Sequence, residues 1–183
     1  FDPSNPSIVV AATGAAIAED TLKGYTSEGQ RTNRCLYFED FSNAAWVKSN
    51  VTVTANSTTA PDGTTTADTL TATGANATCI QDLGVVASAK KTGSVWIKRK
   101  TGTGNIQLTM DGGAGWTTVT VTSSWVRFDL SQTLVDEDFG IRLVTNGDEV
   151  YVWGAQVEQD LIAGSISWAT SYIATSGASV TRN

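Results

Sequence analysis

The feature that most constrains this fold is a succession of about ten short, apolar-rich segments between Arg34 and Glu158, each bounded by turn formers. They cover residues 35–38, 51–54, 67–73, 79–86, 94–98, 105–110, 116–121, 125–130, 140–145 and 149–158. Several alternate with period two, as in Val51-Thr52-Val53-Thr54, and none sustains helical periodicity. Ala60-Pro61-Asp62-Gly63 and the glycine-rich run Asp111 to Gly115 read as turns. Asn146-Gly147 is the strongest hairpin signal. Strands this short are not stable as isolated hairpins and must stack over a shared core. The expected fold is therefore all-β: a sandwich of two antiparallel sheets.

The flanks read differently. Residues 1–33 carry Pro3 and Pro6, a small apolar run from Ile8 to Ile17 and the glycines Gly24 and Gly29. They are expected to form an N-terminal arm, with a short helix around 11–22 weakened by Gly14. Neither end reads as the natural start or stop of a gene product. Residues 34–160 form the expected β domain. Residues 161–183 form a C-terminal tail that docks through Trp168 and Tyr172. The apolar arm is expected to pack on a neighbouring subunit or particle, giving a homo-oligomer or a particle-bound protein.

Composition narrows the chemistry. The net charge is -6, with the charges scattered apart from Lys98-Arg99-Lys100. An acidic surface disfavours nucleic acid and anionic membranes as partners. The chain has no His, which removes the commonest general base and every His-assisted nucleophile. Cys35 and Cys79 form no CxxC motif; they read either as buried free thiols, the favoured reading, or as a disulfide. Paired acids are present at Glu39-Asp40, Asp136-Glu137-Asp138 and Asp148-Glu149, but adjacent acids in a strand face opposite ways. No hydrolase activity is expected. Asp136, Glu137 and Asp138 are the candidate calcium ligands, against the alternative that they are ordinary surface acids.

Six Trp in 183 residues are the informative side chains. Flat rings can stack on the C–H faces of sugars while polar groups fix the hydroxyls. If Val95 and Ile97 face the core, Trp96 and Lys98 share the opposite face. Trp116 is a second candidate ring, and Gln107 is expected to join Trp96 and Lys98 if its strand pairs with theirs. Trp46 and Trp125 read as core, and Trp153 as either.

Several stretches also resemble a module common in bacteriophage and prophage virion proteins. These are Gly24 to Asn33, Glu39-Asp40-Phe41-Ser42-Asn43-Ala44-Ala45-Trp46, Ala60 to Asp68, Val150 to Glu158, and Ala169-Thr170-Ser171-Tyr172-Ile173. That module, found in tail-fibre and head-decoration proteins, is similar to jelly-roll carbohydrate-binding modules. The resemblance implies a jelly-roll sandwich on a virion surface or otherwise extracellular, with other virion proteins as partners and glycans as ligand. It also implies a structural calcium held by acids after the first strand and in the last. Here Ser42 follows Phe41, and the last strand has no acid between Tyr151 and Glu158. Ala174 stands where the module usually has Pro. No other cofactor is expected. The alternatives are a spacer protein without ligand, or a binding module appended to a polysaccharide-degrading enzyme.

Overall fold

The structure, a computed structural model, describes residues 30–159 and 169–182. The expected arm up to residue 29, with its short helix, lies outside these residues, as does the tail stretch 160–168 with Trp168. No helix occurs among the described residues.

Ten strands form in chain order: β1 (Arg31–Asn33), β2 (Trp46–Ser49), β3 (Val51–Thr58), β4 (Ala67–Ala72), β5 (Ala77–Thr101), β6 (Ile106–Thr109), β7 (Thr117–Val119), β8 (Val126–Leu143), β9 (Glu149–Gln159) and β10 (Val180–Arg182). Their pairings are all antiparallel. β5 and β8 are much longer than the segments visible in the sequence, and they run side by side from Ala77↔Leu143 to Ile97↔Val126. The register slips twice between Asp82 and Ala89. Bulges of this kind bend a strand and let it pass from one sheet to the other.

The bend divides the strands into two layers. The first half of β5 and the second half of β8 lie with β2, β6 and β7, in the order β2-β5-β8-β6-β7. The other halves lie with β3, β4 and β9, in the order β3-β4-β9-β5-β8. We call these layers A and B. Cys79, Phe139, Ile141 and Leu143 of layer A share one core cluster with Val95, Ile97, Leu70, Val150 and Val152 of layer B. The layers meet at Gly93, where a Cβ would lie 2.7 Å from Cδ2 of Phe139 and against Sδ of Met110. This is the expected all-β jelly-roll sandwich.

Three local expectations are corrected. Asn146-Gly147 makes a tight turn, with Gly147 at φ +85° and Asp148 N donating to Thr145 O. It is not a hairpin, because it joins β8 in layer A to β9 in layer B. The segment 35–38 is not a strand. Tyr37 takes a positive φ of 52°, and the Gln81 side chain hydrogen-bonds Leu36 N and O in place of a ladder. The separate segments 79–86 and 94–98 are one strand, as are 125–130 and 140–145.

The chain's last described stretch is built into the sandwich. β10 pairs with β1, and Asn33, fully buried, donates from Nδ2 to Ile173 O at 2.8 Å. Gln156 Oε1 accepts from Ile173 N, Glu158 accepts from Thr170, and Thr175 donates to Cys35 O. Buried polar groups need such partners, so residues 170–175 form a strap across the outer side of β9. Cys35 and Cys79 are buried free thiols. Burial pushes the Cys79 thiol up to about 12 and raises Cys35 further.

Candidate functional site

The outer side of layer B follows from strand registers. Because residues two apart share a face, one row reads Thr54, Thr69, Tyr151, Lys98, with Trp125 following from the Ile97↔Val126 pair. The next row toward the sheet's end reads Thr52, Thr71, Glu149, with Thr101 opposite Glu149 after a register shift and Lys100 ion-paired to it. On the other side stand Trp153, Trp96 and Arg127, and beyond them Gln156, Ser94 and Asp129. Gly154 is the extra residue of a bulge in β9. It takes φ +66°, and a Cβ there would lie 3.3 Å from both the Trp96 and Tyr172 rings.

The strap covers one half of this face. Tyr172 stacks on Trp153 at 4.5 Å and meets Phe38 edge-on at 4.9 Å. Trp153 is buried with Ala60 and Ala67, and Trp96, Tyr172 and one side of Trp125 pack against the same cluster. The Trp153 indole N–H donates to Thr66 at 2.9 Å. Tyr172 donates to Glu39 at 2.8 Å; burial, and then this bond, push its phenol well above the usual range.

The other half is open. Trp125 and Tyr151, both half-buried, have ring centroids 6.4 Å apart. Lys98 Nζ stands 6.0 Å from the Trp125 centroid and 5.7 Å from that of Tyr151. The Trp125 indole N–H donates to Thr59 O, which fixes the ring. Lys100 Nζ lies 5.8 Å from the Tyr151 ring centroid and pairs with Glu149 at 3.3 Å. Glu149 is held below the usual carboxylate range, first by the Thr71 hydrogen bond, against burial, and then by Lys100 and Thr101. Two rings, exposed hydroxyls at Thr52 and Thr54, and two amines thus share one shelf.

The four residues proposed for sugar contact divide between the two layers. Trp96 and Lys98 lie on the outer side of layer B, but Trp96 belongs to the covered half. Gln107 cannot join them, because β6 pairs with β7 and β8 and not with β5. Gln107 and Trp116 lie together on the outer side of layer A with Arg142, whose guanidinium sits 4.3 Å from the Trp116 centroid and hydrogen-bonds Gln107. A Cβ at Gly113 would lie 2.9 Å from the Trp116 ring, so this indole is held by its own neighbours. Trp125 is not core. Its parity, odd against Val126, Phe128 and Leu130, puts it on the outer side, and that alternation was the available signal. Tyr151 was missed for the same reason, beside Val150 and Val152. Trp46 is core, tilted against Phe41 at 4.6 Å.

The acidic run also separates. Glu137 is fully buried in an ion pair with Lys91 and a second one with Arg34 at 2.6 Å, so it is not a surface ligand. Asp136 and Asp138 face the other way and meet Asp82 across β5, with oxygens within 4.8 Å of one another. Desolvation, then the Asp82 and Asp136 charges, raise the Asp138 carboxyl. The acids after the first segment are otherwise engaged: Asp40 caps Ser42 and Asn43, Glu39 accepts from Tyr172, and Asp68 accepts from Phe41 N and Asn56 N.

No protein-family model matches the chain, and no curated protein does. Solved structures are similar in fold. The enzymatically active domain of tailspike protein 4 from bacteriophage CBA120 superposes with a TM-score of 0.52 at 14% identity, covering 70% of this chain and 21% of that one. The CBM22-1-CBM22-2 tandem of Paenibacillus barcinonensis Xyn10C gives 0.51 at 16% identity, covering 70% and 45%. A variant of the family 29 carbohydrate-binding module CBM29-2, complexed with cellulohexaose, gives 0.50 at 10% identity, covering 72% and 93%. The chain thus spans well under half of the tailspike domain and nearly all of the single CBM29-2 module. These likenesses establish the fold that this chain shares with jelly-roll carbohydrate-binding modules.

Proposed function

We propose that this protein is a non-catalytic glycan-binding module and that its binding face is the open half of layer B. The observation that carries this reading is the shelf of Tyr151, Lys98 and Trp125. It holds two half-buried rings 6.4 Å apart on the outer sheet surface, with the Lys98 amine about equally far from both and a row of threonines beside them. Rings present apolar faces to sugar C–H groups, and the amine and hydroxyls supply directional bonds. The fold supports the reading by analogy, since the similar structures include sugar-binding modules and a phage tailspike domain. We assign the module to a virion surface, exposed to the extracellular medium, with other virion proteins as its attachment partners and no cofactor in its binding. A ligand-free spacer is the second reading. It is favoured by the packing of Trp116 under Arg142 and of Trp153 under Tyr172.

A glycan array probed with the full chain and with Trp125→Ala and Tyr151→Ala tests the proposal. Each substitution should weaken binding about tenfold while the melting profile stays near that of the parent. No ring-dependent binding to any glycan would leave the spacer reading.

A further inference from the structure

We infer that the glycan recognised by this shelf is anionic, carrying a carboxylate or sulfate that docks on Lys98. The inference rests on the glycan-binding reading above and names its ligand class.

Lys98 is singular among the described cations. Arg34 and Lys91 pair with Glu137, Arg99 with Asp148, and Lys100 with Glu149. Lys48 donates to three carbonyls, and Arg142 to Gln107. Arg31, Lys90, Arg127 and Arg182 also have partners. Among the described residues, Lys98 alone makes neither hydrogen bond nor ion pair; its contacts are the Trp125 and Tyr151 rings. The side chain is half-buried, so the ammonium has given up part of its hydration to ring faces that attract it only weakly.

A chain of net charge -6 has many acids available to neutralise a lysine. None stands here. On the open rows the charged groups are Lys98, Lys100 and Glu149, a local balance of +1, and Glu149 is already bound by Lys100, Thr71 and Thr101. An acidic substituent arriving between the rings therefore meets an unpaired amine and no free carboxylate. A neutral sugar would stack equally well on the rings but would leave the amine without its counter-ion. An anion there forms a charge-assisted hydrogen bond, the stronger kind.

The test is an array in which each uronate- or sialate-bearing oligosaccharide is printed beside its carboxyl-reduced, neutral counterpart. Sulfated glycans are paired with their desulfated forms. The parent should bind the acidic member of at least one pair about tenfold more tightly, and raising the salt should narrow the gap. Lys98→Met, which keeps the apolar stem, should bring both members of that pair to the same affinity; Lys98→Arg should keep the preference. Trp125→Ala should weaken both members. Equal binding within every pair, lost in Trp125→Ala, overturns the anionic ligand and leaves the glycan face standing. Preference for neutral members overturns it likewise. Absence of any binding that depends on Trp125 or Tyr151 overturns both.

Discussion

Tyr172 lies stacked on Trp153, ring centroids 4.5 Å apart and planes 25° apart, and this contact divides the outer side of layer B into a sealed half and an open one. The strap seats its ring at the point where Gly154 lacks a side chain. Tyr172→Ala should therefore loosen the strap and uncover Trp153 and Trp96. We expect a loss of about 2–4 kcal/mol for removing this half-buried ring, read as a fall of roughly 5–15 °C in melting temperature for a chain of this size. Tryptophan emission should shift to the red. A variant melting with the parent would show that the strap is not held by this ring.

The two tryptophans assigned alike from sequence should separate in experiment. Trp46 is buried, packs on Phe41 and donates to Tyr37 O; Trp46→Ala should cost about 3–5 kcal/mol. Trp125 is half-exposed and anchored by one hydrogen bond to Thr59 O; Trp125→Ala should cost about 1 kcal/mol and act on binding instead. Chemical denaturation of both variants decides. Equal losses would return Trp125 to a structural role and weaken the proposed shelf.

Alternation along strands was enough to place Val95 and Ile97 inward and Trp96 and Lys98 outward. The same rule, carried one residue back from Val126, would have put Trp125 on the outer face of its strand. What alternation could not supply was partner choice. β5 runs unbroken through both layers because its bulges between Asp82 and Ala89 bend it without ending it, and a segment that reads as a break is a corner. For that reason Gln107, next in sequence, pairs into layer A, 35 residues from its Arg142 partner. The same corner carries Glu137 inward while Asp136 and Asp138 turn outward. Nor does composition foretell that Asn146-Gly147 spans the two layers.

The buried pair Lys91–Glu137, joined by Arg34, offers a direct test of that corner. Removing Lys91 leaves the buried Glu137 with Arg34 as its one counter-charge. Lys91→Met should cost about 3–5 kcal/mol, whereas Lys91→Met combined with Glu137→Leu should recover much of the loss. Urea unfolding of the single and double variants measures the coupling. Additive losses would show that Glu137 is sustained by Arg34 alone.

Asp68 gives a prediction with a sign. Its carboxylate accepts from Phe41 N at 2.9 Å and Asn56 N at 2.8 Å, tying the segment before β2 to the end of β3. Burial, reinforced by nearby Asp40 and Glu39, outweighs those two bonds and pushes the carboxyl up to about 6. The unfolded chain releases this proton near the ordinary value of 3.8, so between the two values the folded state holds a proton that the unfolded state has lost. The contribution of Asp68 is then fully present below about pH 4 and declines as pH rises through 6. Asp68→Asn removes the titration. The stability difference between parent and Asp68→Asn, measured by denaturation from pH 4 to pH 7, should shift against the parent across this window and level off above it. Carboxyl-carbon NMR of Asp68 should show a midpoint near 6. A midpoint below 4, with the difference moving in the parent's favour as pH rises, would mean that the two backbone N–H groups govern this carboxylate and burial does not.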